Sequence, residues 1–114
     1  MHVVIFEVEP KEGGKDRYLE IAAELRAELE QQDGFISIER FQSLADEGRM
    51  LSLSFWRDAE AINNWRANAE HRLAQAEGRR EIFNDYRIRI AEVVRDYTMT
   101  DRGEAPQPPP DETG

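Results

Sequence analysis

The chain alternates between two hydrophobic periods from its first residues onward. His2 to Val8 is apolar and β-branched, and Pro10 with Gly13-Gly14 bounds it, so a strand is predicted there. From Lys15 to Gln32 the apolar residues Tyr18, Ile21, Ala22, Leu25 and Leu29 fall at helical spacing on one stripe. Asp33-Gly34 supplies the stop, with Gly34 able to take a positive φ past the last turn. Phe35 to Gln42 reads as a second strand and Met50 to Trp56 as a third, joined through the turn residues Ala45 to Gly48. In the third strand Leu51, Leu53 and Phe55 share one face, while Ser52, Ser54 and Trp56 share the other. Asp58 suits an N-cap and Glu60 the first turn of a second helix, whose buried face carries Ile62 and Trp65. The helical pattern breaks near Asn68, resumes to about Ala76 and stops at Gly78. A long last strand is predicted from Asp85 to Tyr97, with Tyr86, Ile88 and Ile90 on one face and Arg87 and Arg89 on the other.

The order β-α-β-β-α-β predicts an α+β, ferredoxin-like fold, a four-stranded antiparallel sheet with both helices on one face. The other face of such a sheet needs a cover when it carries apolar residues. Phe35, Phe41, Met50, Trp56 and Val93 are the residues expected there. A second copy of the sheet is the simplest cover, so a homodimer with sheets packed face to face is expected. The long last strand suits reaching across to the partner.

Composition narrows the class. A chain of 114 residues amounts to one small domain. Its net charge of -9 speaks against a nucleic-acid partner, which calls for basic surface. The absence of cysteine excludes disulfides, thiolate metal sites and thiol nucleophiles. The N-terminal apolar run has no basic flank and Glu7 interrupts it, so no signal peptide is expected. No apolar run approaches ~18 residues, so no membrane span is expected and a cytoplasmic location is the default. The folded domain is placed at residues 1–100. Residues 101–114 hold Pro106, Pro108, Pro109 and Pro110 and no large apolar side chain, the composition of a disordered, Pro-rich acidic tail.

Nucleotide, hydrolase and metalloprotease fingerprints are absent; Gly13-Gly14 has neither the dinucleotide nor the Walker spacing. No cofactor and no metal are therefore expected.

One stretch has a familiar look. The run Phe55-Trp56-Arg57-Asp58-Ala59-Glu60-Ala61-Ile62 is followed by Trp65, Glu70-His71-Arg72, Gln75 and Gly78-Arg79. Asp85-Tyr86 and Ala91-Glu92-Val93-Val94-Arg95-Asp96-Tyr97 complete it. This pattern resembles the antibiotic biosynthesis monooxygenase family over roughly residues 2–99, and most of all its small bacterial members without a settled substrate. The resemblance implies a dimeric α+β barrel. It also implies one of two chemistries, oxidation of aromatic polyketides without metal or flavin, or haem degradation. The haem branch carries a histidine ten residues after the helix tryptophan and an asparagine near the end of the first strand. Gln75 and Glu7 stand at those positions here, which disfavours a haem-degrading role. The polyketide branch pairs the tryptophan with an asparagine one turn earlier, where this chain has Ala61 with Asn63 and Asn64 nearby.

The expected site follows from these residues. His71 is the catalytic candidate, a near-neutral proton shuttle or hydrogen-bond donor to a phenolic substrate. Trp65, Asn64 and Arg87 are the substrate-binding candidates, by stacking, hydrogen bonding and charge. Each has a plainer reading: a surface histidine, a core tryptophan, a solvated asparagine and a solvated arginine. The expected function is a cofactor-independent monooxygenase acting on an aromatic or electron-rich small molecule. A non-catalytic, dimeric ligand-binding or stress-related protein on the same scaffold stays open beside it.

Overall fold

The computed structural model describes residues 1–76 and 82–107. Along them run β1 (His2–Pro10), α1 (Gly14–Glu30), β2 (Phe35–Gln42), β3 (Met50–Trp56), α2 (Ala59–Ala76) and β4 (Phe83–Glu92). The strands pair antiparallel in the order β2-β3-β1-β4. This is the ferredoxin-like arrangement expected from the hydrophobic pattern.

Strand alternation decides what each sheet face carries. Val4, Phe6 and Val8 of β1 face the helices, in register with Ser54, Ser52 and Met50 of β3 and with Ile90, Ile88 and Tyr86 of β4. The helix stripes close over this face in two apolar clusters. One gathers Val4, Leu29, Trp56, Ala61, Ile62 and Trp65; the other gathers Val8, Tyr18, Ile21, Met50, Ile82 and Phe83. Burying each large aliphatic or aromatic side chain of this kind stabilises the fold by about 1.5–3 kcal/mol.

Two glycines allow close approaches that set the helices. Gly34 follows α1 with φ of 89°, and a Cβ there would lie 2.7 Å from the Cβ of Ala61 on α2. Gly14 opens α1 against the backbone of Ile82, where a Cβ would strike the Ile82 carbonyl. The Lys11 N–H donates to that same carbonyl at 2.8 Å, fastening the β1–α1 turn beside the start of β4.

The structure departs from expectation in three places. α2 runs through Asn68 without a break, because Ala61, Ile62, Trp65 and Ala69 keep one inward stripe. β4 begins at Phe83 and ends at Glu92, rather than running from Asp85 to Tyr97. Beyond it the Val93 N–H donates to the Met1 carbonyl, and Val94, Tyr97 and Met99 are exposed outside the sheet. Third, Phe35, Met50 and Trp56 lie on the helix side. A register shift between Phe35 and Ser37 puts Phe35 in the core with Ile38, although the two are an odd number of residues apart. Val3, Ile5, Leu51, Leu53 and Phe55 occupy the helix-free face instead, with Phe41 at its edge.

The Thr98 N–H donates to the Asp101 carbonyl, and Arg102 lies over the Tyr97 ring at 5.2 Å. The predicted stop at Gly78 and the prolines 108–110 lie outside the described residues.

Candidate functional site

Between the helices and the sheet lies a partly open cavity of about 100 Å³. Its position follows from the fold: α1 and α2 supply the roof, and β1, β2, β3 and β4 the floor. Every apolar residue of the predicted α1 stripe, Tyr18, Ile21, Ala22, Leu25 and Leu29, lines it. From α2 come Trp65, Arg66, Ala69 and Glu70. The floor is Val4 and Phe6, flanked by Ser52, Ser54 and Trp56 and by Ile38 and Arg40. Phe83 and Tyr86 close one end, where Phe6, Tyr18, Phe83 and Tyr86 meet edge to face with centroids 5.6–6.3 Å apart.

The walls are mostly apolar, but the polar groups among them are placed. Trp56 Nε1–H donates to Ser54 Oγ at 3.0 Å, so this buried indole is satisfied. Arg66 pairs with Glu70 at 2.8 Å one turn along α2, and its guanidinium lies 5.2 Å from the Phe6 ring centroid. Arg40 Nε–H donates to Tyr18 Oη at 3.4 Å, with the guanidinium over the tyrosine ring. Apolar walls with few convergent polar groups are the usual build of a small-molecule site.

A surface clamp fixes the end of α2 that carries Trp65 into this roof. Arg57 follows β3 and reaches both Asp33 carboxylate oxygens, at 3.0 and 3.1 Å, while its Nε–H donates to Asp58 at 2.8 Å. Asp58 also accepts the Ala61 N–H at 2.9 Å, which is the N-cap expected from the sequence. The Arg57 guanidinium holds the Asp33 and Asp58 carboxyls below their usual range, and the two carboxylates push the Arg57 pKa up in return.

The four residues expected to form the site are not brought together. Trp65 is buried in the cavity roof. Asn64 and His71 are exposed on α2, and neither is among the cavity walls. Arg87 is exposed on the opposite face of the sheet, beside Glu7 and Arg49. Glu7 also faces away from the cavity; it pairs with Arg89 at 3.1 Å and Arg49 at 3.5 Å. Sequence reading missed Tyr18, Arg40, Ser52 and Arg66. A signal existed for Arg40, which stands two residues after the core-facing Ile38 and so shares its face.

The antibiotic biosynthesis monooxygenase family model matches residues 1–77, which span α1, α2 and the first three strands. The chain belongs to the antibiotic biosynthesis monooxygenase family. It is 46% identical over 94 residues to a jasmonate monooxygenase of Pyricularia oryzae; the match covers 82% of this chain and 44% of that protein. The chain thus spans less than half the length of that relative. Solved structures share the fold at lower identity. Rv0793 from Mycobacterium tuberculosis superposes with a TM-score of 0.71 at 14% identity, covering 85% of this chain and 98% of its own. The haem-degrader MhuD of the same organism, solved with two haems in its active site, gives a TM-score of 0.64 at 23% identity, covering 86% of this chain and all of its own.

Proposed function

We propose that this domain is a cofactor-independent monooxygenase that oxidises a compact, electron-rich small molecule held in the cavity under Trp65. The observation that carries this reading is the cavity itself. It is roofed by a family-type helix tryptophan, walled by aromatic and aliphatic side chains, and supplied with a small set of polar groups. An activated methylene or hydroquinone-type substrate provides its own electrons. In the methylene case R₂CH₂ and O₂ give R₂C=O and H₂O, one oxygen atom entering the substrate and the other leaving as water. The protein's part is to seat the flat substrate against Trp65, exclude bulk water and stabilise the deprotonated form. His71 and Asn64 sit outside these walls in the single chain, and Arg87 lies on the other sheet face, so the reading does not depend on them.

The enzyme is also proposed to work as a homodimer. Val3, Ile5, Leu51, Leu53 and Phe55 form an apolar band on a sheet face with no helix over it, and Val94 and Met99 beyond β4 are exposed.

The test is oxygen uptake by the purified chain with small hydroquinones, activated cyclic ketones and jasmonate. Product mass is followed under ¹⁸O₂. Incorporation of one labelled oxygen atom, without added flavin or metal, supports the reading. Turnover that appears only when hemin and a reductant are added contradicts it.

A further inference from the structure

One charge in the cavity has no ion-pair partner among the described residues. Arg66 in the roof is neutralised by Glu70, but Arg40, half-buried in the floor, meets only Tyr18 among the described residues. That contact is a 3.4 Å hydrogen bond plus the tyrosine ring, and no carboxylate of the described residues lies within ion-pair distance. Inside a cavity this stands out in a chain with 24 acidic residues against 15 basic ones; the other described arginines without a printed ion pair, Arg87, Arg95 and Arg102, are exposed. Arginines on its surface readily find carboxylates, as Arg26 does with Glu30 and Arg72 with Glu28. Arg40 is kept from them because strand alternation turns it toward the helices, in register with Ser52 and Phe6. A guanidinium carries five donors in a planar fork that matches a carboxylate, and tyrosine engages one of them. Leaving such a group half-desolvated and unpaired is costly unless a ligand completes it.

We propose that the cavity takes a compact amphipathic acid. Its apolar ring or short chain packs among Trp65, Leu25 and Phe6, and its carboxylate pairs with Arg40 beside Ser52. The proposal rests on the reading of the cavity as the ligand site. It adds the chemical class of the ligand and a specificity-determining residue.

Phenylacetate and the neutral phenylacetamide are matched probes. Their binding to the full chain is read by calorimetry and by the fluorescence of Trp56 and Trp65, both cavity walls. The wild type is expected to prefer phenylacetate by about ten- to a hundredfold, the range of a charge-assisted pair. Arg40→Gln should erase that preference by weakening phenylacetate alone, and Arg40→Lys, which keeps the charge without the fork, should retain part of it. Ala69→Phe, which fills the cavity, should weaken both probes. Equal binding of the two probes to wild type, or an unchanged preference in Arg40→Gln, overturns the acid assignment while leaving the cavity reading intact. Unchanged binding in Ala69→Phe, or no binding of either probe to wild type, overturns the cavity reading and the proposal together.

Discussion

At the scale of single residues, the Arg57 clamp offers a clean electrostatic test. Asp33 is exposed and Asp58 half-exposed, so solvent screens their pairs and each contributes modestly. The direction is nevertheless fixed. Asp33 has its carboxyl lowered from 3.8 in the folded state, chiefly by the hydrogen bond from Arg57, so its charged form favours folding. That contribution is present above the unfolded value and is lost as pH falls through the lowered folded value. Wild type should therefore exceed Asp33→Asn in urea midpoint at pH 7, and the gap should close below pH 3.8. A gap that persists to the lowest pH would show that Asp33 acts through shape rather than charge. The cavity residues show how much of the site the sequence could yield. The α1 stripe was legible and became the roof, because a single helical phase fixes which side chains point inward. The same phase places His71 off the inward stripe: six residues past Trp65 is about 240° around the helix. Arg87 was assigned to the face opposite Ile88; which face would hold the cavity depends on where both helices pack, a tertiary fact.

At the scale of elements, the join between α1 and β2 is tightly constrained. Gly34 has φ of 89°, its carbonyl accepts the Arg57 N–H at 2.7 Å, and Ala61 leaves no room for a Cβ. Gly34→Ala should cost about 1–3 kcal/mol, read as a lowered urea midpoint with an unchanged slope. A neutral substitution would mean that the turn relaxes without strain. The two ends of β2 explain one failure of sequence reading. Alternation alone would put Phe35 and Phe41 on a common face, and Phe41 does reach the helix-free side. The shift between Phe35 and Ser37 moves Phe35 into the core against Trp56, with ring centroids 5.3 Å apart. A one-residue bulge inverts every inference drawn across it, and no turn residue in FISIERFQ announces it. β4 was overextended for a related reason: Val93, Val94 and Tyr97 have strand-forming chemistry, but the neighbouring strand β1 begins at His2, opposite Glu92, and offers no partner beyond.

At the scale of the whole molecule, one face of the sheet is covered by helices and the other carries none. The helix-free face carries an apolar band interrupted by the Glu7 pairs with Arg49 and Arg89. Size exclusion with light scattering should give near twice the chain mass of 13.2 kDa. Leu53→Glu, placed at the centre of that band in register with Ile5, should shift the species toward one chain mass while the far-ultraviolet dichroism stays the same. A monomeric wild type would remove the sheet-to-sheet assembly from the account. The fold class and the helix stripes were readable from periodicity, because these depend on local phase. The cavity's polar groups were not, because their meaning arises only where β2, β3 and α1 converge.

The central claim is that oxygen chemistry takes place in the cavity beneath Trp65. The most direct measurement is the rate of ¹⁸O incorporation into product by wild type and by Ala69→Phe, with dichroism melts confirming that both are folded. Turnover is expected in wild type and its loss in the filled variant. Equal rates in the two proteins would contradict it.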